Sequence, residues 1–479
     1  MSVVVLLLVF FTRYYCGSSS DSSSAGNGSG SVNTEETALV LPNGNPEHGT
    51  LQEHGDFLRI VGFVRLWPTH KVGGMQSHAE SLYRGLAERG HLVHVFVSHH
   101  PREPSETNEV HGRLVIHYAP HGKPAEYSPE YFDWSYQLVL QLHSVIQFDL
   151  IHSESNAARR FLRSKIMPTV VTWHGFGYET WRSKLNYFYM NAEPGRMMEE
   201  LKHMDFAEEF DMMLGYHHHV AISHQAAADL REVMYIDEER VHMILNGINL
   251  VNFKQDFDVK AHFRSKNIIP AEGLVIGIGG KLTTMKGSQK VLDIVDALTS
   301  YGSFPVYICV AGVGEMLAKW KRMALSNKRI VILGELDTLG MVKFYQAIDI
   351  FVNPTAYYRG LDLTMQEAMA CGVPVIATRT GSIKKTIISE IDGVASGATF
   401  TLGDGSSLFR TIIEFGTNRQ FIAQRGNAAR KKAVDEFPIG RMLSSYESLF
   451  SRIVMQFKQN QWQGRLCLTC EGGSSVPHT

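Results

Sequence analysis

Lys281 and Lys286 lie close to a glycine-rich turn, where Gly280 follows an apolar segment that is typical of a buried strand. The backbone N–H groups of such a turn and the ammonium groups of two lysines both stabilise an anion such as a pyrophosphate. The pattern matches neither the Walker A loop nor the GxGxxG fingerprint, so it predicts neither a P-loop NTPase nor an NAD-dependent enzyme. The alternative interpretation is that both lysines are solvated surface charges.

A carboxylate suited to binding hydroxyl groups occurs further along, in the segment GLDLTMQEAMACGVPVIA at residues 360–377. Its spacing predicts a helix that carries Glu367 in its first half, ends at Gly372 and leads into a buried Val/Ile strand. Ligands of open α/β sheets bind beside the carboxyl ends of the strands, where such a Glu would lie. A carboxylate suits ribose hydroxyls but repels a phosphate, so a bound nucleotide would explain both Glu367 and the lysines. Taken alone, Glu367 is more simply a solvated helix charge.

Two segments in the first half of the chain could complete such a site. Gly73 and Gly74 precede a predicted helix, where small residues let a ligand approach the backbone and the helix N-terminus favours an anion. His174 ends a predicted strand in the segment TWHGFG, and a histidine there could donate a hydrogen bond or exchange a proton. The structural alternatives are a plain tight turn and a packed histidine.

The residue types that commonly bind metals do not form a convincing site. His217, His218 and His219 are consecutive, and side chains alternate between the two faces of a strand, so the three cannot converge on one ion. Cys467 and Cys470 form one CxxC pair in a polar tail, with no second pair to complete a zinc site. We therefore predict no metal site.

The composition is that of an ordinary globular protein of 479 residues, of which 44% are hydrophobic and 20% are charged. This length predicts two to three domains. The formal net charge of −2 argues against a nucleic-acid partner, because nucleic-acid-binding proteins concentrate basic residues. Five cysteines in a chain of this length do not make a disulfide scaffold.

Apolar segments of strand length alternate with helical periodicity, which predicts an α/β fold of two doubly wound, Rossmann-like domains facing across a cleft. The first domain is predicted at residues 55–265, with a helical insertion or lid at 178–213, and the second domain at 270–436. The strands of the two domains are expected at 57–64, 91–97, 114–118, 148–152, 169–173 and 219–222, and at 274–280, 305–312, 329–334, 349–354 and 373–378.

The two ends of the chain differ from these domains. Residues 1–50 comprise an apolar stretch, VVVLLLVFF, and a Gly/Ser-rich linker; the stretch is too short to span a bilayer but has the length of a signal-peptide core. We therefore expect the secretory pathway, in the Golgi or ER, with membrane association through the N-terminus; the alternative is the cytoplasm. A helix at 437–460 is expected to pack on the first domain, and residues 461–479 to be disordered.

A series of motifs occurs in the order that is typical of family 4 glycosyltransferases: GGMQSHAESLYRGLAERGH, TWHG, VAIS, ILNGIN, GGKL with KG, VAGVGE, ILGEL and DLTMQEAMACGVPVIAT. Over residues 57–455 the chain therefore resembles the GT4 family, which has the GT-B fold, and a plant-like or other eukaryotic member in particular. The resemblance implies an enzyme without metal or cofactor that transfers a hexose from a UDP- or GDP-linked sugar donor. The acceptor would be a hydroxyl of a glycan, lipid or small molecule, and the anomeric configuration would be retained.

The resemblance also implies roles for individual residues. Lys286 matches the lysine that holds the donor diphosphate, and Lys281 occupies the position of an arginine with the same role. Glu367 matches the ribose-binding glutamate and His174 the histidine of the cleft, and these two are the candidate catalytic residues. The rest of the predicted donor-binding set matches family positions or lies beside them: Gly73, Gly74, Asn246, Gly280, Arg359, Gly360, Leu361 and Asp362.

One position departs from the family pattern in a way that affects the mechanism. The family usually has a second glutamate eight residues before the ribose-binding one, where this chain has Arg359. An arginine cannot act as a nucleophilic carboxylate, which excludes a double displacement through this residue. Gly360 and Leu361 could still offer backbone N–H groups, and Asp362 could contact sugar hydroxyls. The alternatives to a retaining transferase are a non-catalytic protein that binds a nucleotide-sugar or a glycan, and another GT-B-like enzyme such as an epimerase or a phosphorylase.

Overall fold

The computed structural model describes residues 57–67, 73–98, 109–121, 126–202, 207–358, 362–388, 390–391 and 393–470. The predictions for Arg359, Gly360, Leu361, the N-terminal segment 1–50 and the tail after Cys470 lie outside these residues. Within them, no helix is both long enough and apolar enough to cross a lipid bilayer. The membrane association and the cellular location expected from the N-terminus stay predictions.

The first β-sheet contains the strands β1 Arg59–Val64, β2 Leu92–Val97, β3 Glu109–His111, β4 Leu114–Tyr118, β5 Leu150–Glu154, β6 Thr169–Trp173, β7 His218–Ala221 and β8 Val241–Met243. Their order across the sheet is β3-β4-β2-β1-β5-β6-β7-β8, and neighbours are parallel except for the antiparallel pair of β3 and β4. The accompanying helices are α1 Gly74–Glu88, α2 Pro129–Ile146, α3 Gly177–Met190, α4 Pro194–Lys202, α5 Ala207–Gly215 and α6 His224–Glu232. We call this region the first half.

Burial on both faces explains why the central strands read as continuous apolar runs. In β1 the five residues from Ile60 to Val64 are buried, and β5 and β6 are buried throughout. Because helices cover both faces of a parallel sheet, its strands show no alternation of apolar and polar residues. The strands predicted for the first half are confirmed to within two residues at each end. Strands β3 and β8 were not predicted, because with three residues each they are too short to show a periodic pattern.

The second half contains β9 Leu274–Gly279, β10 Val306–Ala311, β11 Ile330–Gly334, β12 Ile350–Asn353, β13 Val375–Thr378, β14 Glu390–Ile391, β15 Val394–Ala395 and β16 Gly397–Phe400. A parallel sheet has the order β11-β10-β9-β12-β13-β16, and β14 pairs with β15 separately. Its helices are α7 Phe257–Lys266, α8 Ser288–Leu292, α9 Val295–Thr299, α10 Leu317–Ser326, α11 Thr338–Ala347, α12 Leu363–Ala370, α13 Ile383–Ile388, α14 Gly405–Thr417 and α15 Arg419–Glu436. The predicted pair of doubly wound domains is therefore confirmed.

Helix α7 is connected to the second sheet by two ion pairs to the buried Asp349. Lys260 Nζ lies 2.7 Å from one carboxylate oxygen, and an Arg264 guanidinium nitrogen lies 2.7 Å from the other. Burial alone would raise the pKa of Asp349, but these two cations lower it below its ordinary value. The partner of α7 therefore lies about 90 residues further along the chain, and the domain boundary at 265 stays a prediction.

The C-terminal helix α16, Ile439–Cys470, returns to the first half and packs against α1. A Cβ atom on Gly85 of α1 would lie 2.5 Å from Leu443, so the absent side chain is what allows this close contact. Ile248 forms a bridge with Pro438 where the chain crosses over. The helix continues to Cys470, with no Pro or Gly signal to stop it at 460. The predicted domain bounds of 437–460 and 461–479 stay predictions.

Two histidine pairs, one buried and one partly buried, make the first half sensitive to acid. His94 Nδ1 lies 2.9 Å from His117 Nε2, and His218 Nδ1 lies 3.1 Å from His242 Nε2. Burial lowers the pKa of His94 to about 4 and that of His117 to about 3, the latter also because His94 is adjacent. Burial likewise lowers the pKa of His218 to about 3 and that of His242 to about 4. All four histidines are therefore neutral in the folded protein at pH 7.

We expect the free energy of unfolding to fall as the pH is lowered from 6.5 towards 4. In this window the unfolded histidines bind protons and the folded ones do not, so each contributes a loss of about 1.4 kcal/mol per pH unit. Urea unfolding followed by circular dichroism at several pH values measures the effect. A double variant, His94→Leu with His117→Leu, should show a shallower decline than the wild type. An identical decline would mean that this pair does not titrate on unfolding.

Candidate active site

Two glycines shape the turn after β9, because any other residue at their positions would strain the backbone. Gly280 has φ of +98°, and the carbonyl oxygen of Gly280 leaves no room for a side chain at the neighbouring Gly312. Gly287, which precedes α8, has φ of +77°, and a Cβ atom there would lie 1.8 Å from the carbonyl oxygen of Pro354. The turn between them carries Lys281 and Lys286 at the carboxyl end of β9, where ligands of such sheets bind.

Lys286 is the lysine that the structure places among other candidate site residues. Its Nζ lies 2.6 Å from a carboxylate oxygen of Asp362, and both side chains are between a quarter and a third exposed. Asn353, at the end of β12, donates its side-chain N–H to the same oxygen at 3.3 Å. Lys281 is exposed and forms no ion pair with any residue in the described ranges. The structure thus brings together Lys286 and Asp362, as predicted, and adds Asn353.

Glu367 lies on α12, as predicted, and α12 ends before Gly372, which has φ of +71°. The hydroxyl of Tyr345 on α11 donates a hydrogen bond of 2.8 Å to one of its carboxylate oxygens. Burial raises the pKa of Glu367 to about 7, although the Tyr345 hydrogen bond opposes this shift. The carboxyl group is thus oriented by Tyr345 and changes charge close to neutral pH.

We expect the affinity for a ribose-containing donor to weaken as the pH falls from 8 to 6. Because the pKa of Glu367 is raised to about 7, the carboxylate that is predicted to accept hydrogen bonds from ribose hydroxyls would be lost over this interval. The KM for a sugar nucleotide should rise by up to about tenfold, in proportion to the ionised fraction. Initial rates at pH 6, 7 and 8 measure this change. Glu367→Gln should raise the KM at pH 8 and make it nearly independent of pH; an unchanged pH profile would show that Glu367 does not contact the donor.

Gly73 and Gly74 form the first-half wall opposite these residues. Gly73 precedes α1 with extended backbone, and a Cβ atom on Gly74 would lie 3.6 Å from Leu363 at the start of α12. The N-termini of α1 and α12 therefore meet across the cleft, directly beside Asp362. Side chains at these two glycines would fill the space in which a ligand could approach both backbones.

Helix α3 forms a second contact between the halves, within the segment predicted to be a helical insertion or lid. The Tyr358 backbone N–H donates a hydrogen bond of 2.7 Å to Ser183 Oγ. The guanidinium of Arg182 lies 4.1 Å from the centre of the Tyr358 ring, which is a cation–π distance. Lys290 of α8 donates to the Asn191 side-chain oxygen at 3.1 Å. The helical prediction for 178–213 is confirmed, and the lid function stays a prediction.

His174 follows β6 and contacts a carboxylate that the sequence analysis did not single out. Its Nε2 donates a hydrogen bond to one oxygen of Glu154, which lies at the end of the neighbouring strand β5. The other oxygen of Glu154 accepts a hydrogen bond of 3.1 Å from Nδ1 of His78, a buried residue of α1. The rings of His78 and His174 are 4.7 Å apart. We call these three residues the His–Glu–His triad.

The electrostatics of the triad favour an ionised Glu154. Burial alone would raise its pKa, but the His78 and His174 imidazoles and their hydrogen bonds hold the pKa well below its ordinary range. A buried carboxylate with a nitrogen donor on each oxygen is fully hydrogen-bonded and can fix the orientation of both rings. One nitrogen or oxygen atom from each residue lies within 4.8 Å of the others, so the triad also has the ligand types of a divalent-metal site.

Behind the triad, a hydrogen-bonded chain connects it to the C-terminal helix. The hydroxyl of Tyr446 on α16 lies 3.4 Å from Nε2 of His78 and 2.8 Å from Oγ1 of Thr172. Thr172 in turn lies 2.8 Å from Nε2 of His152, whose Nδ1 is 2.7 Å from the hydroxyl of Tyr83. All of these side chains are buried. The position of His78 is therefore supported by residues from α1, β5, β6 and α16.

The remaining predicted residues are only partly located. Asn246 is buried, and its backbone oxygen accepts a hydrogen bond of 3.3 Å from Gln366 on α12. Its side-chain oxygen has no hydrogen-bond partner among the described residues. Glu154, His78 and Tyr446 were not predicted. Glu154 carried a usable signal, since it lies two residues after the strand predicted at 148–152, at the edge where ligands bind.

The consecutive histidines 217–219 contact separate partners, as expected because side chains alternate between the two faces of a strand. Nδ1 of His217 lies 2.8 Å from Thr169 Oγ1, His218 contacts His242, and His219 accepts a hydrogen bond of 3.1 Å from the Trp173 indole. Because the three side chains point to different neighbours, they do not form a metal site.

Sequence models of two families match this chain. Residues 72–252 match glycosyltransferase family 4, and residues 273–418 match the glycosyl transferases group 1. Together the matched residues make up more than half of the chain and include the triad, Lys286 and Glu367. The chain belongs to the group 1 glycosyltransferases. The predicted membership of the GT4 family is thereby confirmed, and the protein is a glycosyltransferase.

Known relatives support the same assignment at low sequence identity. An uncharacterized glycosyltransferase of Methanocaldococcus jannaschii is 21% identical over 353 residues, which are 70% of this chain and 84% of the relative. Sucrose-phosphate synthase from Thermosynechococcus elongatus is 19% identical, with a TM-score of 0.68 over 83% of this chain and 100% of that one. Anabaena HepE in complex with UDP-glucose is 16% identical, with a TM-score of 0.60 over 82% and 100%.

These structural neighbours confirm the predicted GT-B fold of this glycosyltransferase, with one parallel-sheet domain on each side of the cleft. At such identities the likeness shows the fold alone, so it does not transfer the substrates of the relatives. Most of the relatives are bacterial or archaeal, and the expectation of a plant-like or other eukaryotic member stays a prediction.

Proposed function

We propose that this glycosyltransferase transfers a hexose from a UDP- or GDP-linked sugar to a hydroxyl of a glycan, lipid or small molecule, with retention of configuration and without a metal ion. One observation carries the proposal: Lys286 contacts Asp362 at the N-cap of α12, the helix that carries Glu367, and Gly74 at the start of α1 faces Leu363 of the same helix. These are the chemical groups that a nucleoside diphosphate requires, a cation for the phosphates and a hydrogen-bond acceptor for the ribose.

The roles of the second-half residues follow from charge. Lys286 stabilises the negative charge that grows on the diphosphate as the bond to the sugar breaks, which is usually the largest contribution to such catalysis. Lys281, in the same turn, adds a second positive charge. Glu367 holds the ribose and so fixes the distance of the reacting carbon from Lys286. The binding of UDP-glucose by Anabaena HepE, a protein of similar fold, is consistent with this arrangement.

The first half supplies His174 to the sugar or the acceptor. Glu154 holds His174 by its Nε2, so the imidazole reaches the cleft in one orientation. Since Arg359 provides no carboxylate nucleophile, the acceptor hydroxyl attacks from the face that the diphosphate leaves. A phosphate oxygen of the departing diphosphate accepts the hydroxyl proton. This route retains the configuration without an enzyme-bound intermediate, and a product with inverted configuration would contradict it.

A second candidate function is the binding of a nucleotide-sugar or a glycan without transfer. Arg359 favours it, because this position usually carries a carboxylate in the family. The two candidates differ in an observable way: a binding protein would show tight donor binding with neither transfer nor hydrolysis.

The experiment uses the purified protein and a panel of UDP-, GDP- and ADP-sugars, with and without mixed glycan and lipid acceptors. Release of nucleoside diphosphate with one donor, and an acceptor-dependent product of unchanged anomeric configuration, would support the proposal. Binding across the panel without release would support the second candidate. A parallel assay with EDTA tests the metal: an activity that EDTA removes and Zn²⁺ restores would show that the triad holds an ion, contrary to the proposal.

A further inference from the structure

Asp362 occupies the N-cap position of α12, yet its carboxylate does not cap the helix. Aspartate is among the preferred N-cap residues because its side chain accepts a hydrogen bond from the first turn, an interaction worth about 1 kcal/mol. Three other α-helices of the described residues begin after an aspartate, and each of these side chains makes the capping bond: Asp256 of α7, Asp337 of α11 and Asp404 of α14. The side chain of Asp362 is therefore held away from its local partner by other contacts.

Those contacts direct the carboxylate into the donor site. One oxygen lies 2.6 Å from Lys286 Nζ and 3.3 Å from the side-chain nitrogen of Asn353. Asp362 is also next to Leu363, the residue that faces Gly74 across the cleft. The carboxylate thus lies between Lys286 of the glycine-rich turn and the N-terminus of α1, which belongs to the first half.

A carboxylate in this place opposes the binding of a diphosphate. It neutralises Lys286, the cation that the diphosphate needs, and repels the incoming anion. Such a residue is useful only if the ligand brings hydrogen-bond donors to it. A sugar provides these donors in its hydroxyl groups, and a free nucleoside diphosphate has none at that end.

We infer that Asp362 discriminates a nucleotide-sugar from a nucleoside diphosphate by an exchange of partners, an inference that rests on the proposed function. Before the donor binds, Asp362 pairs with Lys286. When the donor binds, the diphosphate takes over Lys286, and Asp362 accepts a hydrogen bond from a hydroxyl of the sugar to be transferred. Asp362 then supplies the sugar contact that Arg359, the position eight residues before Glu367, cannot make as a carboxylate.

The exchange also favours release of the product. After transfer the sugar leaves with the acceptor, and the carboxylate of Asp362 lies beside the negatively charged nucleoside diphosphate, which repels it. The carboxylate can regain Lys286 only when the diphosphate departs. The same residue therefore increases the affinity for the donor relative to the spent nucleotide.

The test compares wild type with Asp362→Asn in the full chain. Asparagine is as good an N-cap as aspartate, so α12 is preserved while the negative charge is removed. Isothermal titration measures the Kd of UDP and of UDP-glucose, or of GDP and GDP-mannose if the donor panel selects a GDP-linked sugar. We expect the variant to bind UDP at least as tightly as the wild type and UDP-glucose less tightly. The ratio of the two Kd values should change by about tenfold or more, the size of a lost charge-assisted hydrogen bond.

Asp404→Asn, which alters an N-cap of the same type at α14, is the matched control and should leave the ratio unchanged. Equal weakening of both ligands by Asp362→Asn would show a structural role and would overturn the inference, as would an unchanged ratio with both Kd values unaltered. If the wild type binds neither UDP nor GDP nor their sugars, the proposed function itself fails. Normal donor binding in the wild type with no change in the variant defeats only the role of Asp362.

Discussion

Lys286→Ala is expected to lower the turnover number with the preferred donor by about 10²–10³-fold, the effect of removing one group that stabilises charge in a transition state. Lys286 is the lysine of the glycine-rich turn that the structure places among the candidate site residues, 2.6 Å from Asp362. Without it, the groups that the described part of this turn can offer to the departing diphosphate are backbone N–H groups and the exposed Lys281. Steady-state rates of nucleoside diphosphate release, compared at saturating donor, measure the loss.

Two variants show whether the loss is specific. Lys286→Arg keeps the charge but changes its geometry, and it should recover part of the activity. Lys290→Ala removes a lysine of α8 whose side chain donates to Asn191. It should leave the turnover number within about threefold of wild type. If Lys286→Ala and Lys290→Ala reduced turnover equally, Lys286 would have no special role in charge stabilisation. A normal far-UV spectrum confirms that each variant is folded.

Replacement of Glu154 should have the largest combined effect on stability and activity. Glu154→Ala is expected to lower the free energy of unfolding by about 3–5 kcal/mol, because it leaves the N–H groups of the buried His78 and the partly buried His174 without their acceptor. Glu154→Gln keeps the size of the side chain, but its amide N–H₂ faces one of the two donors and cannot accept from it. Since His174 would lose its fixed orientation, we expect Glu154→Gln to lower kcat/KM by at least about tenfold. Urea unfolding and initial rates measure the two effects.

Asp349→Asn is the matched control for Glu154. Asp349 is also a buried carboxylate, and its three cationic partners, Lys260 and Arg264 of α7 and Arg419 of α15, lie outside the candidate site. It should lose stability to a similar degree while the folded fraction keeps its kcat/KM. If Glu154→Gln behaved in the same way, with stability lost and activity retained, the triad would be a packing element and His174 would not depend on it.

Local patterns were sufficient for the elements and for part of the site. The helix that carries Glu367 and ends before Gly372, the strand that precedes Gly280, and the strand that precedes His174 each follow from apolar spacing and from a glycine at the end of an element. These signals act over a few residues, because backbone hydrogen bonds within a helix and burial along one strand are local. The residues at the ends of such elements could therefore be predicted to face a ligand.

Contacts between distant residues depended on the tertiary structure. Glu154 meets His78 because β5 lies next to β1 in the sheet, so that the helix after β1 packs over the end of β5. Tyr446 reaches the same group from a helix 274 residues beyond Thr172. The order of strands and the path of a returning helix are set by the packing of the whole core, which no short segment encodes.

The partner of Asp362 illustrates the same division. From its residue type and its position before α12, Asp362 would be expected to cap this helix with its side chain. Folding brings β9, β12 and α12 to one edge of the second sheet, where Lys286 and Asn353 compete successfully for its carboxylate. The sequence by itself predicted candidate residues for the binding of a nucleotide-sugar. The tertiary structure decided which of them meet, because an ion pair at 2.6 Å outweighs a hydrogen bond to the helix end.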